Sequence, residues 1–445
     1  MKSIKLAVFG ERPSSWAGGH LTVLFNSAKA LQYAGLDVEV LNMCFDCSRF
    51  EYNIIGDIRI LSIPSRVYRP FSLNFLGNIS NLNVIGRIVK GSEYIIAFDP
   101  IITFYFIKFK NEFQTIKNIK IFWRPGGNDL TCPLHTEICP YSNSYTETYG
   151  HAKDPLFFVT KCLPHILKSR KYTLYHIFLW PIYTSIVRKG IDGILASRGV
   201  YLEGCKLIGL EDKCKYVGFG IDENKFRFRR KDEVIGDLLK ILSNNLMNND
   251  INTLYSMLSK EYLFIGYIGS GKPAWKNVEL LVRSFQYLAR FYHNIALIII
   301  GREMSSLLNF VSGIREDVVR RIFIVNKIPH TLIHYAYNVI DIFVNPSLLD
   351  SLELNTLEAL MSGVITVASN RGSINDLLIQ GINIPTFNPQ TNHLVKTLKD
   401  IIDNIDYYRD ITNKEIYPRA RKILNLVSFG KRLKDALGLI NYDEI

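Results

Sequence analysis

Short, nearly unbroken apolar runs alternate along the chain with stretches whose apolar positions recur every three or four residues. Residues 5–9, KLAVF, run into Gly10 and the loop GERPSSWAGGH, after which Leu21, Leu24, Phe25, Ala28 and Leu31 share one helical face. Gly35 ends that helix and DVEVL returns as a strand, the β-loop-α-β opening of a doubly wound sheet. IRILSI, YIIAF, IKIFW, IDGILAS and CKYVGFGI continue the series. Residues 227–261 interrupt it with the basic run RFRRK and a polar, Asn-rich stretch holding helical segments. A second series starts at YLFIGYIG, followed by a helix over 277–292 with Val278, Leu281, Val282, Phe285 and Leu288 on one face. IALIIIG, RIFIV and DIFVNPS are continuously apolar, as parallel strands covered on both faces must be. The pattern predicts an α/β protein of two doubly wound parallel-sheet domains: 1–226, a linker or insertion over 227–261, 262–419, and a closing helical segment over 420–445.

The stretch 345–376, NPSLLDSLELNTLEALMSGVITVASNRGSIND, carries the densest candidate chemistry. Asp350 with Glu353 three residues later reads as a capping box, Leu354, Leu357, Leu360 and Met361 as an apolar stripe, and Gly363 as the helix end. A helix starting just past a strand offers unpaired amides to an anion, which suggests a phosphate site. Eight residues separate Asp350 from Glu358, roughly 12 Å along a helix at ~1.5 Å per residue. That is about the length of a nucleotide-sugar between ribose and sugar ring. The same two carboxylates also read as an ordinary cap and an ordinary helix residue.

This signature, Pro-Ser, an acidic residue, seven residues, Glu-Ala and then small-Gly, resembles that of the retaining GT-B glycosyltransferases of family 4 (glycosyltransferase group 1). Residues 267–285 resemble the family's Gly-x…Lys-Gly/Asn segment, Ser369–Asp376 its second acidic loop, Gly18-Gly19 its first glycine loop, and GFGIDENKF (218–226) its Asn-Gly-Val-Asp…Phe stretch. The resemblance implies a GT-B fold, two facing Rossmann-like domains with the C-terminal helix packing back on the first. It implies metal-independent transfer of a sugar from a nucleotide-sugar to an acceptor hydroxyl with retention of anomeric configuration, and no cofactor besides a UDP- or GDP-sugar donor. Lys276 with Lys272 and helix amides would neutralise the departing diphosphate, Glu358 would hold the ribose and Asp350 the donor sugar. The implied donor site is Gly18, Gly19, Ser270, Lys272, Lys276, Ser351, Leu352 and Glu358; Arg124, Asn128 and Asp129 lie on the acceptor and sugar side. Three positions depart from the family pattern: Asp350 replaces its first Glu, Glu353 a Gly, and Ser270 the Arg after Gly269. They leave a second reading open, a GT-B-fold sugar-nucleotide epimerase or a non-catalytic nucleotide-sugar-binding protein.

Charge adds a partner to this picture. Residues 1–230 carry 30 Lys/Arg against 19 Asp/Glu, or +11, whereas 231–445 carry 23 against 22, or +1. A basic first half, with the aromatic and basic stretch 168–189, points to a lipid-linked or membrane-proximal glycan acceptor and contact with an anionic membrane. No apolar run of 18–20 residues is present, so the expected location is cytoplasmic, at the inner face of the membrane. Seven cysteines without a regular framework fit a reducing compartment better than a disulfide scaffold. Cys44-x-x-Cys47 reads as structural, and Cys132, His135, Cys139 and His151 match no standard zinc spacing. Gly266–Lys272 has the glycines and lysine of a P-loop, but Pro273 stands where a magnesium-binding hydroxyl is needed. A full dinucleotide fingerprint and any recognised nucleic-acid module are missing, which disfavours both of those classes.

Overall fold

In the computed structural model, the described residues are 2–10, 19–44, 46–64, 87–98, 102–103, 106–107, 110, 118–124, 189–197, 202, 205–206, 209–243, 245–260, 262–271, 276–348, 354–371 and 374–439. The chain divides into two compact units, Met1–Gly220 with Leu426–Ile445, and Ile221–Asn425.

The first unit is built on β1 (Ser3–Gly10), β2 (Asp37–Cys44), β3 (Glu51–Ile55), β4 (Ile58–Pro64), β5 (Tyr94–Ala97), β6 (Lys120–Trp123), β7 (Gly193–Ala196) and β8 (Cys214–Tyr216). Their order is β3-β4-β2-β1-β5-β6-β7-β8, parallel except for the antiparallel β3–β4 hairpin. The helix Gly19–Tyr33 covers one face with Leu24, Ala28 and Leu31, and Gly35 beyond it takes φ 80°, the left-handed conformation the sequence assigns to that glycine. Leu426, Phe429 and Leu433 of the C-terminal helix Leu426–Ala436 enter the same core, so the end of the chain completes the first unit. Gly430 makes this approach possible, because a Cβ there would meet the Ala30 carbonyl oxygen at 2.1 Å.

The second sheet comprises β9 (Leu263–Ile268), β10 (Ile295–Ile300), β11 (Ile322–Val325), β12 (Ile342–Asn345), β13 (Ile365–Ser369) and β14 (Thr386–Phe387). All strands are parallel, in the order β11-β10-β9-β12-β13-β14. Every residue of β10, β11, β12 and β13 is buried, as their uninterrupted apolar runs require.

Two features differ from the sequence reading. Residues 227–261 are an integral part of the second unit: they supply the helices Lys231–Leu242 and Ile251–Leu258, and between them a strap along the edge of β11. The strap bridges Leu246 to Val325, donates Met247 N–H to the Ile324 carbonyl (2.9 Å), and uses the Asn248 and Asn249 side chains on the Ile322 carbonyl. Asparagines that read as a polar connection thus satisfy an exposed strand edge. The cysteines, read as fitting a reducing compartment better than a disulfide scaffold, include two bridged pairs. Cys44–Cys47 and Cys205–Cys214 are both joined, with Cα separations of 5.4 and 6.3 Å that suit a bridge. A spacing of nine residues across a turn gives no framework signal in sequence. Cys132, His135, Cys139, His151 and residues 168–188 lie outside the described residues.

Replacing Gly430 by Ala forces the Cβ against helix backbone and should lower unfolding stability by about 2 kcal/mol or more. Denaturant titration beside the exposed neighbour Lys431→Ala, expected within about 0.5 kcal/mol of wild type, checks this.

Candidate functional site

In the second sheet, chain order runs outward from β9 to β10 and β11 on one side and through β12 to β14 on the other. The carboxyl ends of β9 and β12 therefore flank the topological switch point, where open α/β sheets bind ligands. Gly269 and Gly301, at the ends of β9 and β10, are packed so closely that a Cβ on Gly301 would lie 1.5 Å from the Gly269 carbonyl oxygen. Gly269 N–H donates to the Ile300 carbonyl and Gly271 N–H to that of Arg302, both at 2.9 Å, joining the two loops. Across the switch point, the Asn355 side chain donates to the Ile268 carbonyl (2.6 Å) and Asn345 to Thr356 Oγ1 (2.8 Å). These bonds fix the helix Leu354–Met361 against both central strands, and Gly363 beyond it takes φ 75°.

Glu358 projects from this helix into the interior and is only 4% exposed. One carboxylate oxygen accepts from the Tyr337 hydroxyl at 2.8 Å, and the other meets His330 Nε2 at 3.0 Å. Lys225 Nζ lies 3.1 Å from His330 Nδ1. An ammonium has only protons to offer, so Nδ1 accepts and Nε2–H donates to Glu358. Phe226, 2% exposed, packs on the rings of Tyr337 and His330 with centroids 5.9 and 6.0 Å away. The Asp222 carboxylate accepts from the backbone of Asn224 and Lys225, turning the chain so that Lys225 and Phe226 reach this cluster. The neighbouring His334 is held down to about 4 by burial, with the charges of Arg229 and Lys225 acting in the same direction.

Of the residues singled out in sequence, Glu358, Lys276 and Ser270 belong to the second unit. Lys276 directly precedes Asn277, a non-glycine residue at φ 53° that opens the helix Val278–Leu288. That left-handed turn is what Gly or Asn tolerates, which gives the Lys-Gly/Asn resemblance a physical cause. Ser270 donates its hydroxyl to the Glu303 carboxylate at 2.9 Å, and Glu303 itself sits at φ 59°. Asp376, in the helix Asn375–Ile379, is buried at 5% exposure. In the first unit, Gly19 opens the helix that follows β1. Arg124, at the end of β6, lies in the interior at 1% exposure, donates to the Gly218 carbonyl at 2.9 Å and stacks over Phe429 at 5.1 Å. Gly18, Asn128, Asp129, Lys272, Asp350, Ser351 and Leu352 lie outside the described residues.

Lys225, His330 and Tyr337 were missed by the sequence reading. The signal was Glu358 itself: a carboxylate inside LEALM, among residues that all go inward, needs donors from elsewhere in the fold.

Residues 262–404 match the family model of Glycosyl transferases group 1. The chain carries a group 1 glycosyltransferase domain. No curated protein matches the sequence. Among solved structures, sucrose-phosphate synthase from Thermosynechococcus elongatus superposes with a TM-score of 0.67 at 14% identity, covering 98% of each chain. The Anabaena protein HepE in complex with UDP and glucose gives 0.64 at 13% identity, covering 99% of this chain and 100% of that one. The lipopolysaccharide outer core galactosyltransferase WaaB gives 0.60 at 17% identity, covering 98% and 99%. The described residues have the GT-B fold, and the network around Glu358 lies within residues 262–404 except for Lys225 and Phe226.

Two outcomes follow. Tyr337→Phe leaves a buried carboxylate oxygen without its hydroxyl donor and should cost about 1–3 kcal/mol of stability; Tyr335→Phe, half-buried and away from Glu358, is the control in the same denaturant titration. Because His334 is depressed in the folded chain to about 4 from an ordinary 6.5, unfolding takes up a proton between those values. The stability tied to its neutral form is whole above pH 6.5 and drains as pH falls towards 4. Titrations across that window should show this slope in wild type and a shallower one in His334→Gln.

Proposed function

We propose that this protein is a metal-independent glycosyltransferase that moves a sugar from a UDP- or GDP-sugar to an acceptor hydroxyl, with retention at the anomeric carbon. The observation that carries the reading is the buried Glu358 carboxylate, oriented by Tyr337 and His330 beside the switch point of the group 1 domain. A carboxylate already placed by two donors keeps lone pairs free to accept from a ribose diol, and it needs no reorganisation when the donor arrives.

In this reading Lys276 places its ammonium where negative charge grows on the departing diphosphate, with Lys272 and the amides of Ser351 and Leu352 adding to it. By the resemblance, Asp350 serves the donor sugar, Gly18 and Gly19 the phosphates, and Asn128 and Asp129 the sugar and acceptor. The structures similar to this chain include one in complex with UDP and glucose, which supports a nucleotide-sugar donor. A lipid-linked glycan acceptor is supported by the +11 charge of residues 1–230 and by the likeness to an outer core galactosyltransferase. Work at the cytoplasmic face of a membrane belongs to the same reading; no helix among the described residues is long and apolar enough to cross one.

The Ser270–Glu303 pair favours a second reading, a GT-B protein that binds a nucleotide-sugar without transferring it. Ser270, in the loop after β9 that the first reading gives to the diphosphate, is engaged by the Glu303 carboxylate. Product analysis separates the two. Incubation with UDP- and GDP-sugars and a glycolipid acceptor should release nucleoside diphosphate and yield a lengthened acceptor, with turnover about 100-fold lower in Lys276→Ala. Binding with neither diphosphate release nor product would decide for the second reading.

A further inference from the structure

Two of the residues around Glu358, Lys225 and Phe226, are carried there by the turn 222–226 and not by a helix or strand. Asp222 closes the N–H side of this turn. Its carbonyl accepts from Lys225 and Phe226 at 3.2 and 2.9 Å, and its carboxylate from Asn224 at 3.1 Å. The carbonyl side is met from elsewhere in the unit, by one group. Arg421 donates from Nη1 to the Glu223 carbonyl at 2.7 Å and to the Phe226 carbonyl at 3.2 Å. A guanidinium nitrogen of this kind carries two protons, one for each end of the turn.

Arg421 is itself fixed. It lies in the last turn of the helix Tyr417–Leu424, after which the chain leaves the second unit at Asn425. The Asn425 side chain donates to the Arg421 carbonyl at 2.7 Å and to that of Lys422 at 3.0 Å, satisfying the helix end. Ile221 N–H donates to the Leu424 carbonyl at 2.8 Å and Ile221 bridges Asn425, so the residues by which the chain enters and leaves this unit are paired. A second restraint on the turn comes from Arg229, which donates to the Lys225 carbonyl at 3.2 Å and whose own N–H is held by Asn338 Oδ1 at 2.6 Å. Lys225 thus sits between two held guanidinium groups, its ammonium 4.8 Å from the Phe226 ring centre and 3.1 Å from His330 Nδ1. A shift of about 1 Å would break that last contact, since hydrogen bonds need heavy atoms within ~3.2 Å.

On the reading of Glu358 as the ribose carboxylate, we propose that Arg421 is a positioning residue for the nucleotide. By holding both carbonyl ends of the turn it keeps Lys225 on His330 Nδ1, which keeps Nε2–H on Glu358 and the carboxylate aimed for a ribose diol. Arg421 acts at a distance from Glu358, so its effect passes through the tautomer of His330. A merely structural arginine would change stability and leave that tautomer alone.

Nitrogen NMR of the full chain with isotope-labelled histidine, under mildly alkaline conditions and with His330 assigned by His330→Gln, reads the tautomer without any ligand. The expected result is the Nε2–H tautomer in wild type and a mixture of both in Arg421→Met. Calorimetry with uridine and guanosine should show nucleoside binding roughly tenfold weaker in Arg421→Met, about the loss of one well-made hydrogen bond. Arg419→Met is the control: Arg419 lies in the same helix and donates to the Gln380 carbonyl at 3.1 Å, away from the turn, so both readouts should stay as in wild type. Should Arg421→Met fail to fold by circular dichroism, Arg421→Gln has a polar head too short to span both carbonyls and carries the same expectation. An unchanged His330 tautomer in a folded Arg421 variant, or an equal change in Arg419→Met, overturns the proposal. A wild type that binds neither nucleoside overturns the reading of Glu358 instead, and the tautomer alone then decides on Arg421.

Discussion

A carboxylate almost out of water has to be answered by the protein, and the arrangement of the second unit follows from how Glu358 is answered. Leaving it bare would cost several kcal/mol. The fold instead brings a tyrosine hydroxyl to one oxygen and an imidazole to the other, and a lysine fixes the imidazole's tautomer from behind. Each of these residues comes from a different element. Glu358 is on the helix after β12, Tyr337 on the helix before it, His330 in the turn after β11, and Lys225 at the start of the unit. The carboxylate therefore ties together parts of the chain that the sheet alone would leave independent.

The second constraint is space at the strand ends. Gly269 and Gly301 lie where any Cβ would collide with backbone or with Tyr267, so the loops after β9 and β10 close onto each other by main-chain hydrogen bonds. Asn355 and Asn345 then draw the Glu358 helix to the other side of the switch point. Site and scaffold share the same contacts: the bonds that hold the helix also aim the carboxylate.

Much of this was legible in the chain. The second series of strands was readable because β10, β11 and β12 are apolar at every position, which only a doubly covered parallel strand tolerates. Gly35 and Gly363 were readable as helix ends because a left-handed φ leaves few alternatives. Glu358 and Lys276 stood out through motif resemblance, and Asn277 supplies the backbone reason for one of those motifs. What was not legible depends on contacts distant in sequence. Tyr337 looks like one more apolar position on its helix, and its hydroxyl acquires meaning only 21 residues later at Glu358. The Asn-rich strap has the composition of a linker, because side chains that bond a strand edge are the same ones that bond water. Arg124, which the resemblance puts on the acceptor and sugar side, donates to the Gly218 carbonyl and lies over Phe429, contacts that no local pattern announces.

The central claim is that the switch point of the second sheet holds the diphosphate and ribose of a nucleotide-sugar. Calorimetric titration of the intact protein with UDP, UMP and uridine, and with the guanosine series, tests it most directly. The account predicts that one base series binds, that affinity rises from nucleoside to diphosphate, and that Lys276→Ala removes most of that rise while leaving nucleoside binding unchanged. A well-folded protein that binds neither series, or binds diphosphate and nucleoside equally well, would contradict it.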